Sequence, residues 1–203
     1  MPDIHPLPGL IGLVACGGKS IRMGTDKSML NYHHKPQRYH LYDMLVPFCE
    51  LVYISCNSIQ LKNMKEGYRI MADLPAYQNI GPMAALLTAF RKYPENDFLL
   101  IGCDYPFLSA EEISHFLKHC HTETTTVFYN EKDDMYEPLI AFYHHSIKNS
   151  LVEMALTNQY SLQELLRRST VTKYYPANKN SIIGINTKVD LIEAYKLIGP
   201  DKE

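Results

Sequence analysis

Three things are missing from this sequence, and each removes a class of protein. No apolar run approaches the ~18 residues that a membrane span needs, so the reading is of a protein without a membrane. There is no excess of basic charge: the net charge is −2, which argues against nucleic acid as a bulk ligand. Cysteine never occurs as a C-x-x-C pair, and the five cysteines, at 16, 49, 56, 103 and 120, form an odd, scattered set. Such a set reads as reduced, buried thiols in a cytoplasmic protein. The first nine residues, MPDIHPLPG, carry three prolines and no apolar core of signal-peptide length, which supports the same cytoplasmic expectation.

What is present fits an ordinary globule. With 203 residues, 46% of them hydrophobic and 21% charged, the length prior is one domain spanning 1–203. A chain of this size buries about 70% of its unfolded surface and needs no covalent staples. The organising stretch is Leu10–Leu30, LIGLVACGGKSIRMGTDKSML. Leu10–Cys16 is apolar and short enough to be a buried strand. Gly17 and Gly18 follow at once, then Lys19, Arg22 and Lys27 around Gly24. A buried strand opening into a glycine-rich, basic loop presents backbone N–H groups and cations to phosphates. It is not a P-loop: GGKS has the end of that motif, but the required first glycine falls on Leu13, with Gly12 one residue out of register. No G-x-G-x-x-G fingerprint is present either.

Along the chain, strands and helices alternate. A short apolar segment, Lys27–Tyr32, precedes a helix over Gln37–Leu45; strands are expected at Glu50–Cys56 and Tyr68–Ala72, ended by Asn57 and Asp73. Polar residues directly after strands are where ligands bind in open parallel sheets. Gly81–Tyr93 is a helix with Pro82 in its first turn, and Asp97–Cys103 is a strand that delivers CDYP at 103–106. A carboxylate directly after a fully apolar strand is costly to bury without a cation, and a metal ion is the economical partner for Asp104. Cys16 and Cys103 both fall at strand ends, but no base is recognisable near either, so no nucleophilic role is assigned.

Ser109–His119 is a helix that Ser109 caps, with Glu111 and Glu112 in its first turn. His115 and His119 share one helix face at metal-ligand spacing and His121 follows; histidines at a helix C-terminus equally suit the dipole. Thr124–Tyr129 and Pro138–Tyr143 read as strands around a polar loop, Asn130–Glu137. His144 and His145 open the next helix and read as solvated. Helices over Ile147–Leu156 and Leu162–Leu166 (capped by Ser161) lead to a strand at Val171–Tyr175, another at Ile182–Ile185, and a last helix at Val189–Ile198. The alternation predicts a three-layer, doubly wound, mostly parallel α/β sheet with helices on each face.

The run ACGGKSIRMGTDKSML closely resembles the signature LAGGxSxRMGxDKxLL of the nucleotidyltransferases that attach a nucleotide to molybdopterin, the molybdenum cofactor guanylyltransferases. It departs at Ala15 and Cys16, where the family usually has Leu and Ala. The resemblance extends from Gly9 to about Ile198: GPMAA stands for the family's GPLAG, CDYP matches C-D-x-P, Glu137–Pro138 matches an acceptor-loop Glu-Pro, and GINTKVDL stands for N-x-N-T-P-x-D-L. In that last segment Gly184 replaces the first asparagine while Asn186 keeps the second; His34 replaces the glycine of a GKP turn.

The resemblance implies a Rossmann-like nucleotidyltransferase fold, with residues 9–106 as the nucleotide-binding half and 107–198 as the acceptor-binding half. It implies transfer of GMP from GTP to molybdopterin or Mo-molybdopterin, releasing pyrophosphate, with Mg²⁺ as cofactor and with molybdoenzymes or their chaperones receiving the product. By position in the family pattern, Asp104 would bind Mg²⁺, with Asn186 helping to hold the metal or the acceptor phosphate. Arg22 and Lys27 would grip the β- and γ-phosphates, aided by Ala15, Cys16, Gly17 and Gly18; Asn57 and Asp73 would contact guanine or ribose, and Glu137 and Asn186 the acceptor. Two other readings stay open at this point. One is a CTP-dependent cytidylyl sister or a sugar- or alditol-phosphate nucleotidyltransferase, and the other is a non-catalytic nucleotide sensor.

Overall fold

The computed structural model describes residues 5–16, 26–120 and 123–198. The glycine-rich loop residues Gly17, Gly18 and Arg22, and His121, therefore lie outside the described residues. Seven strands form one sheet: β1 (Leu7–Ala15), β2 (Cys49–Cys56), β3 (Ile70–Ala72), β4 (Asp97–Gly102), β5 (Thr125–Asn130), β6 (Met135–Tyr143) and β7 (Val171–Tyr174), in the order β3-β2-β1-β4-β6-β5-β7. β3, β2, β1 and β4 are parallel to one another, β6 runs antiparallel to both β4 and β5, and β7 is parallel to β5.

The side-chain period of two explains why both faces of the sheet are covered. On the central strands Leu10, Val14, Leu99 and Ile101 point to one side, while Ile11, Leu13, Phe98 and Leu100 point to the other. Parallel strands buried on both faces read as continuous apolar runs, as LIGLVA and FLLIG do. The helices are α1 (Gln37–Leu45), α2 (Ser58–Leu61), α3 (Met83–Lys92), α4 (Ala110–His119), α5 (Lys148–Leu156), α6 (Leu162–Arg168) and α7 (Lys188–Ile198). α1 and α4 close the first face through Tyr39, Leu41, Leu45, Ile113 and Phe116. α3, α5 and α6 close the second through Leu86, Phe90, Leu151 and Leu165. The three-layer, mostly parallel sheet is thus the observed architecture.

Gly12 has a packing role. A Cβ there would sit 3.1 Å from Cys49 Sγ, 3.2 Å from Val52 and 3.3 Å from Leu45, so its absence lets α1 and β2 close on β1. At the turn before α1, His34 takes the left-handed conformation that favours glycine, φ 61°.

Several boundaries differ from the sequence reading. β1 starts at Leu7, because Leu7 N–H donates to Phe48 O and Gly9 N–H to Glu50 Oε2, which hold the proline-rich lead-in against β2. β3 is only Ile70–Ala72. After the basic loop, Lys27–Met29 is a 3-10 turn capped by Asp26. The loop between β5 and β6 is tighter than Asn130–Glu137: β6 begins at Met135, and Glu137–Pro138 lies within it. Pro138 is tolerated because the β5–β6 pairing jumps from Val127↔Ala141 to Tyr129↔Tyr136, leaving a bulge around it. No strand forms at Ile182–Ile185; Lys179–Ile182 is a 3-10 turn capped by Asn178, and Ile185 N–H bonds Asp104 O instead of a ladder partner. Among the described residues no helix is long and apolar enough to cross a membrane. All five cysteines are free thiols, four of them buried, as their scatter suggested.

Candidate active site

β1, β2, β3 and β4 end along one edge of the sheet, and the residues that follow them converge there. Cys16 N–H bonds Ser55 O, Asp73 N–H bonds Cys56 O and Cys103 N–H bonds Ala15 O, so the strand ends stay in register one residue beyond the ladders. In open parallel sheets this carboxyl edge is the ligand crevice.

Asp104 is at its centre. The residue keeps partial exposure, but its Oδ1 is sealed from solvent and finds no hydrogen-bond partner among the described residues. Burial raises its carboxyl above the usual carboxylate range; its own backbone N–H and the Lys27 ammonium pull the other way. A buried carboxylate oxygen without a donor is a costly arrangement that a bound cation relieves. Room for it depends on Gly102, where a Cβ would come within 2.5 Å of Asp104 Oδ1 and 3.0 Å of Leu139 Cβ. The donor chemistry, a carboxylate oxygen beside a half-open edge, suits a hard divalent ion such as Mg²⁺.

Lys27 reaches this point from the 3-10 turn and is held by the closing segment. Its Nζ donates to Ile185 O at 2.7 Å and Asn186 Oδ1 at 3.0 Å, while Ile185 N–H donates to Asp104 O at 2.8 Å. Asn186 is fixed in turn, because Asp190 Oδ2 accepts from the N–H groups of Asn186 and Thr187, and Thr187 Oγ1 accepts from Asp190 N–H. That reciprocal cap starts α7 and holds Asp190 below its ordinary range. Three distant pieces of chain therefore bring Lys27, Asp104 and Asn186 together.

Glu137 approaches from the bulge in β6. The Tyr105 hydroxyl donates to Glu137 Oε2 at 2.8 Å, and burial raises the Glu137 carboxyl against that bond. Asp104 contributes to the same upward shift, so the two acids are neighbours. Beside them opens a cavity of about 600 Å³ lined by Tyr129, Asn130, Lys132, Tyr175, Lys179 and Gly184, among others. Gly184 connects it to the centre: a Cβ there would lie 3.7 Å from the Tyr105 ring.

Asn57 follows β2 at this edge and caps the helix that starts there. Its Oδ1 accepts from Ile59 and Gln60 N–H, and Gln60 Oε1 accepts from Asn57 N–H, a capping box that opens α2. The cap uses Oδ1 and leaves the side-chain amide N–H groups out of it. Asp73 follows β3 at the same edge, with Ser55 Oγ donating to it at 3.4 Å; burial pushes its carboxyl up to about 6, against that bond. Cys16 and Cys103 lie with their sulfurs 3.5 Å apart, and burial holds the Cys103 thiol well above its ordinary range, in the protonated state that makes a poor nucleophile. Ala15 and Cys16 contribute backbone at the root of the basic loop.

Two residues at this edge were passed over in the sequence. Gln60 Nε2 donates to Cys16 O and to Asp26 Oδ2, both at 3.0 Å, and so clamps the residues that flank the glycine-rich loop. Its signal was there, since N-S-I-Q is a capping-box spacing. Glu112, read as a first-turn helix residue, is buried and accepts from the Tyr174 hydroxyl and from Ala177 and Asn178 N–H. That bond set pins the strand end leading into the closing segment. Of the histidine cluster, His119 Nδ1 is 2.7 Å from His115 O and its ring packs on Tyr174, so the described pair is engaged within the helix and its neighbour.

A mostly parallel sheet with a half-buried carboxylate at its carboxyl edge and an adjacent lysine is an arrangement suited to nucleotidyl transfer, and the family match places the chain among nucleotidyltransferases. More narrowly, residues 12–173 match the MobA-like NTP transferase domain, and the chain belongs to that family. Among curated relatives, a "Probable molybdenum cofactor guanylyltransferase" from Halalkalibacterium halodurans is 27% identical over 90% of this chain and 96% of its own length. A "Molybdenum cofactor biosynthesis bifunctional protein" from Synechocystis is 28% identical over 93% of this chain, which spans only 54% of that longer protein. The fold matches a crystal structure of molybdopterin-guanine dinucleotide biosynthesis protein A from Archaeoglobus fulgidus with a TM-score of 0.74, at 21% identity over 92% of this chain and 97% of that one.

Proposed function

We propose that this enzyme transfers GMP from GTP to the phosphate of molybdopterin or Mo-molybdopterin, releasing pyrophosphate, with Mg²⁺ held at Asp104 and Asn186 assisting. The observation that carries the reading is the partnerless Asp104 Oδ1 beside the anchored Lys27 ammonium. The choice of guanine and of the molybdenum cofactor follows the relatives described as probable molybdenum cofactor guanylyltransferases. Mg²⁺ bound there supplies charge neutralisation for the nucleotide phosphates. Lys27, with one N–H still to give, grips the β- and γ-phosphates together with Arg22 and the N–H groups of Gly17 and Gly18; the backbone of Ala15 and Cys16 sets the root of that loop. Asp73 faces the ribose or base. Asn57 shares that contact while its Oδ1 caps α2.

The halves divide at about residue 106, with 9–106 holding nucleotide and 107–198 the acceptor. The cavity beside Gly184 is the acceptor pocket of this reading: Tyr175 offers an aromatic face, and Lys132 and Lys179 offer cations to a pterin phosphate, with Glu131 and Asp133 on the same lining. Glu137 borders the same side through Tyr105. An acceptor phosphate oxygen is already ionised when it attacks the α-phosphorus in line, so the chain needs no general base, and alignment and charge stabilisation are the whole catalytic task. The protein acts in the cytoplasm on these small molecules.

Calorimetry with GTP, CTP and ATP in Mg²⁺, followed by a pyrophosphate-release assay with molybdopterin, tests this. GTP-selective, Mg²⁺-dependent binding and release are expected. CTP selectivity would move the enzyme to cytidylyl transfer, and release with none of the three would overturn the reading.

A further inference from the structure

A second cluster of ligating side chains stands at the opposite edge of the sheet. Asp97 begins β4 and His144 follows β6; the antiparallel register that pairs Phe98 with Tyr143 carries on to set Asp97 opposite His144. His145 turns back over them. Its Nδ1 lies 3.0 Å from Asp97 Oδ1, and His144 Nε2 lies 4.0 Å from the same oxygen. One ligand atom from each of the three residues lies within 4.8 Å of the others. His144, expected to be solvated, is buried at 7% exposure, and His145 is only partly open. None of the three belongs to the site of nucleotidyl transfer.

We propose that Asp97, His144 and His145 bind a zinc-class divalent cation. Two imidazole nitrogens and one carboxylate oxygen are the donor set of Zn²⁺ and its d-block neighbours, and not of Mg²⁺ or Ca²⁺, which take oxygen. Sub-ångström movement of each side chain closes the triangle to Zn–N and Zn–O distances of about 2.0–2.2 Å. The surroundings already supply what such ligands need. Ser146 Oγ lies 2.8 Å from His144 Nδ1 and can accept its proton, leaving the Nε2 lone pair for the metal. That state gives up the longer 3.3 Å contact from Ser146 N–H. Asp97 Oδ1 is oriented by the N–H of His145 at 2.8 Å. With His145 partly open to solvent, a water completes the fourth position. The ion ties the start of β4 to the end of β6, the junction where the parallel part of the sheet meets its antiparallel strand. Its role is structural, because the nucleotide edge lies at the other end of β4.

Co²⁺ is the probe, since its tetrahedral complexes absorb in the visible while the ion substitutes for zinc. The full chain, stripped with chelator, is titrated with CoCl₂ and, separately, heated with and without ZnCl₂. One equivalent of Co²⁺ should give a visible band that Zn²⁺ displaces. The band should disappear in His145→Gln and Asp97→Asn and persist in Asp104→Asn and His119→Gln. Zinc at about a hundredfold over its Kd should raise the Tm of the wild type by roughly 5–10 °C and that of His145→Gln not at all. His145→Gln alters a partly exposed residue and tests the site even where a His144 variant fails to fold. Ser146→Ala should weaken Co²⁺ binding by about tenfold. No visible band, a band unchanged in both His145→Gln and Asp97→Asn, or one lost only with Asp104 or His119 would overturn the proposal.

Discussion

The two parts of the sheet present residues to the candidate active site in different ways. β1, β2, β3 and β4 are parallel and stop along one edge, so the residue after each strand arrives there by strand length alone. β5, β6 and β7 deliver nothing so simply. Glu137 comes from a bulge inside a strand, and Asn186 comes from an irregular segment tied down by Ile185 N–H and the Thr187–Asp190 cap. The first part is therefore a scaffold on which a side chain's role follows from its place. In the second, the role depends on hydrogen bonds made by residues far away in sequence.

The strongest way to break this comparison is to remove the residue that both parts share. Asp104→Ala should lower kcat by about 10³-fold or more, about 4 kcal/mol of transition-state stabilisation. The Tm should stay level or rise, because the variant also removes a sealed, partnerless carboxylate oxygen. Steady-state kinetics at saturating Mg²⁺ together with a melting curve check both. Turnover within tenfold of wild type would show that the parallel edge does not carry the metal.

Lys27→Ala probes the seam between the two parts. The ammonium bonds Ile185 O and Asn186 Oδ1 while facing the phosphates in the proposed mechanism. A loss of about 10²-fold in kcat/KM for GTP is expected, with a smaller rise in the acceptor's KM as the closing segment loosens. Unchanged kcat/KM for GTP would reduce Lys27 to a structural tie. Gly102→Ala should come next in size. The added methyl would meet Asp104 Oδ1 at 2.5 Å and Leu139 on β6, so the carboxylate must shift. The Mg²⁺ concentration for half-maximal rate should rise by roughly tenfold while GTP affinity at saturating Mg²⁺ holds, at a stability cost of about 1–3 kcal/mol.

The same contrast explains what could be read in advance. Period-two burial and strand-ending polar residues made the layers, the helix from Ser109 and the position of Asp104 legible, since each depends on local chemistry. An asparagine after a strand serves equally as a ligand contact and as an N-cap; the cap, with its Gln60 partner, is what the structure adds at Asn57. His144 was read as solvated because the antiparallel register that sets it beside Asp97 is long-range information. Ile182–Ile185 has the composition of a strand, but the chain turns in a 3-10 helix over Lys179–Ile182 and Ile185 N–H is taken by Asp104 O at the end of β4. Gly102 gave no signal at all: its value lies in the carboxylate two residues on and in Leu139 across the sheet.

The smallest expected effect separates a residue's service to the fold from its service to the ligand. Asp73 ends β3 on the parallel edge, and burial raises its carboxyl to about 6, against the Ser55 hydroxyl bond. A carboxyl raised in the folded state holds its proton longer than in the unfolded chain, where it titrates near 3.9. The folded state therefore binds more protons between those values, and stability falls as pH rises from about 4 through about 6. At pH 7 the ionised group is a net cost, about 1 kcal/mol once its partial exposure to solvent is allowed for. Asp73→Asn removes the ionisation, so its Tm at pH 7 should exceed wild type by about 2–4 °C, and the gap should close below pH 4. If the same carboxylate holds the ribose or base, GTP affinity should drop several-fold in the variant that is more stable. A gain in Tm with unchanged GTP affinity would leave Asp73 as buried charge alone and would confine the ligand-bearing part of the parallel edge to the ends of β1 and β4.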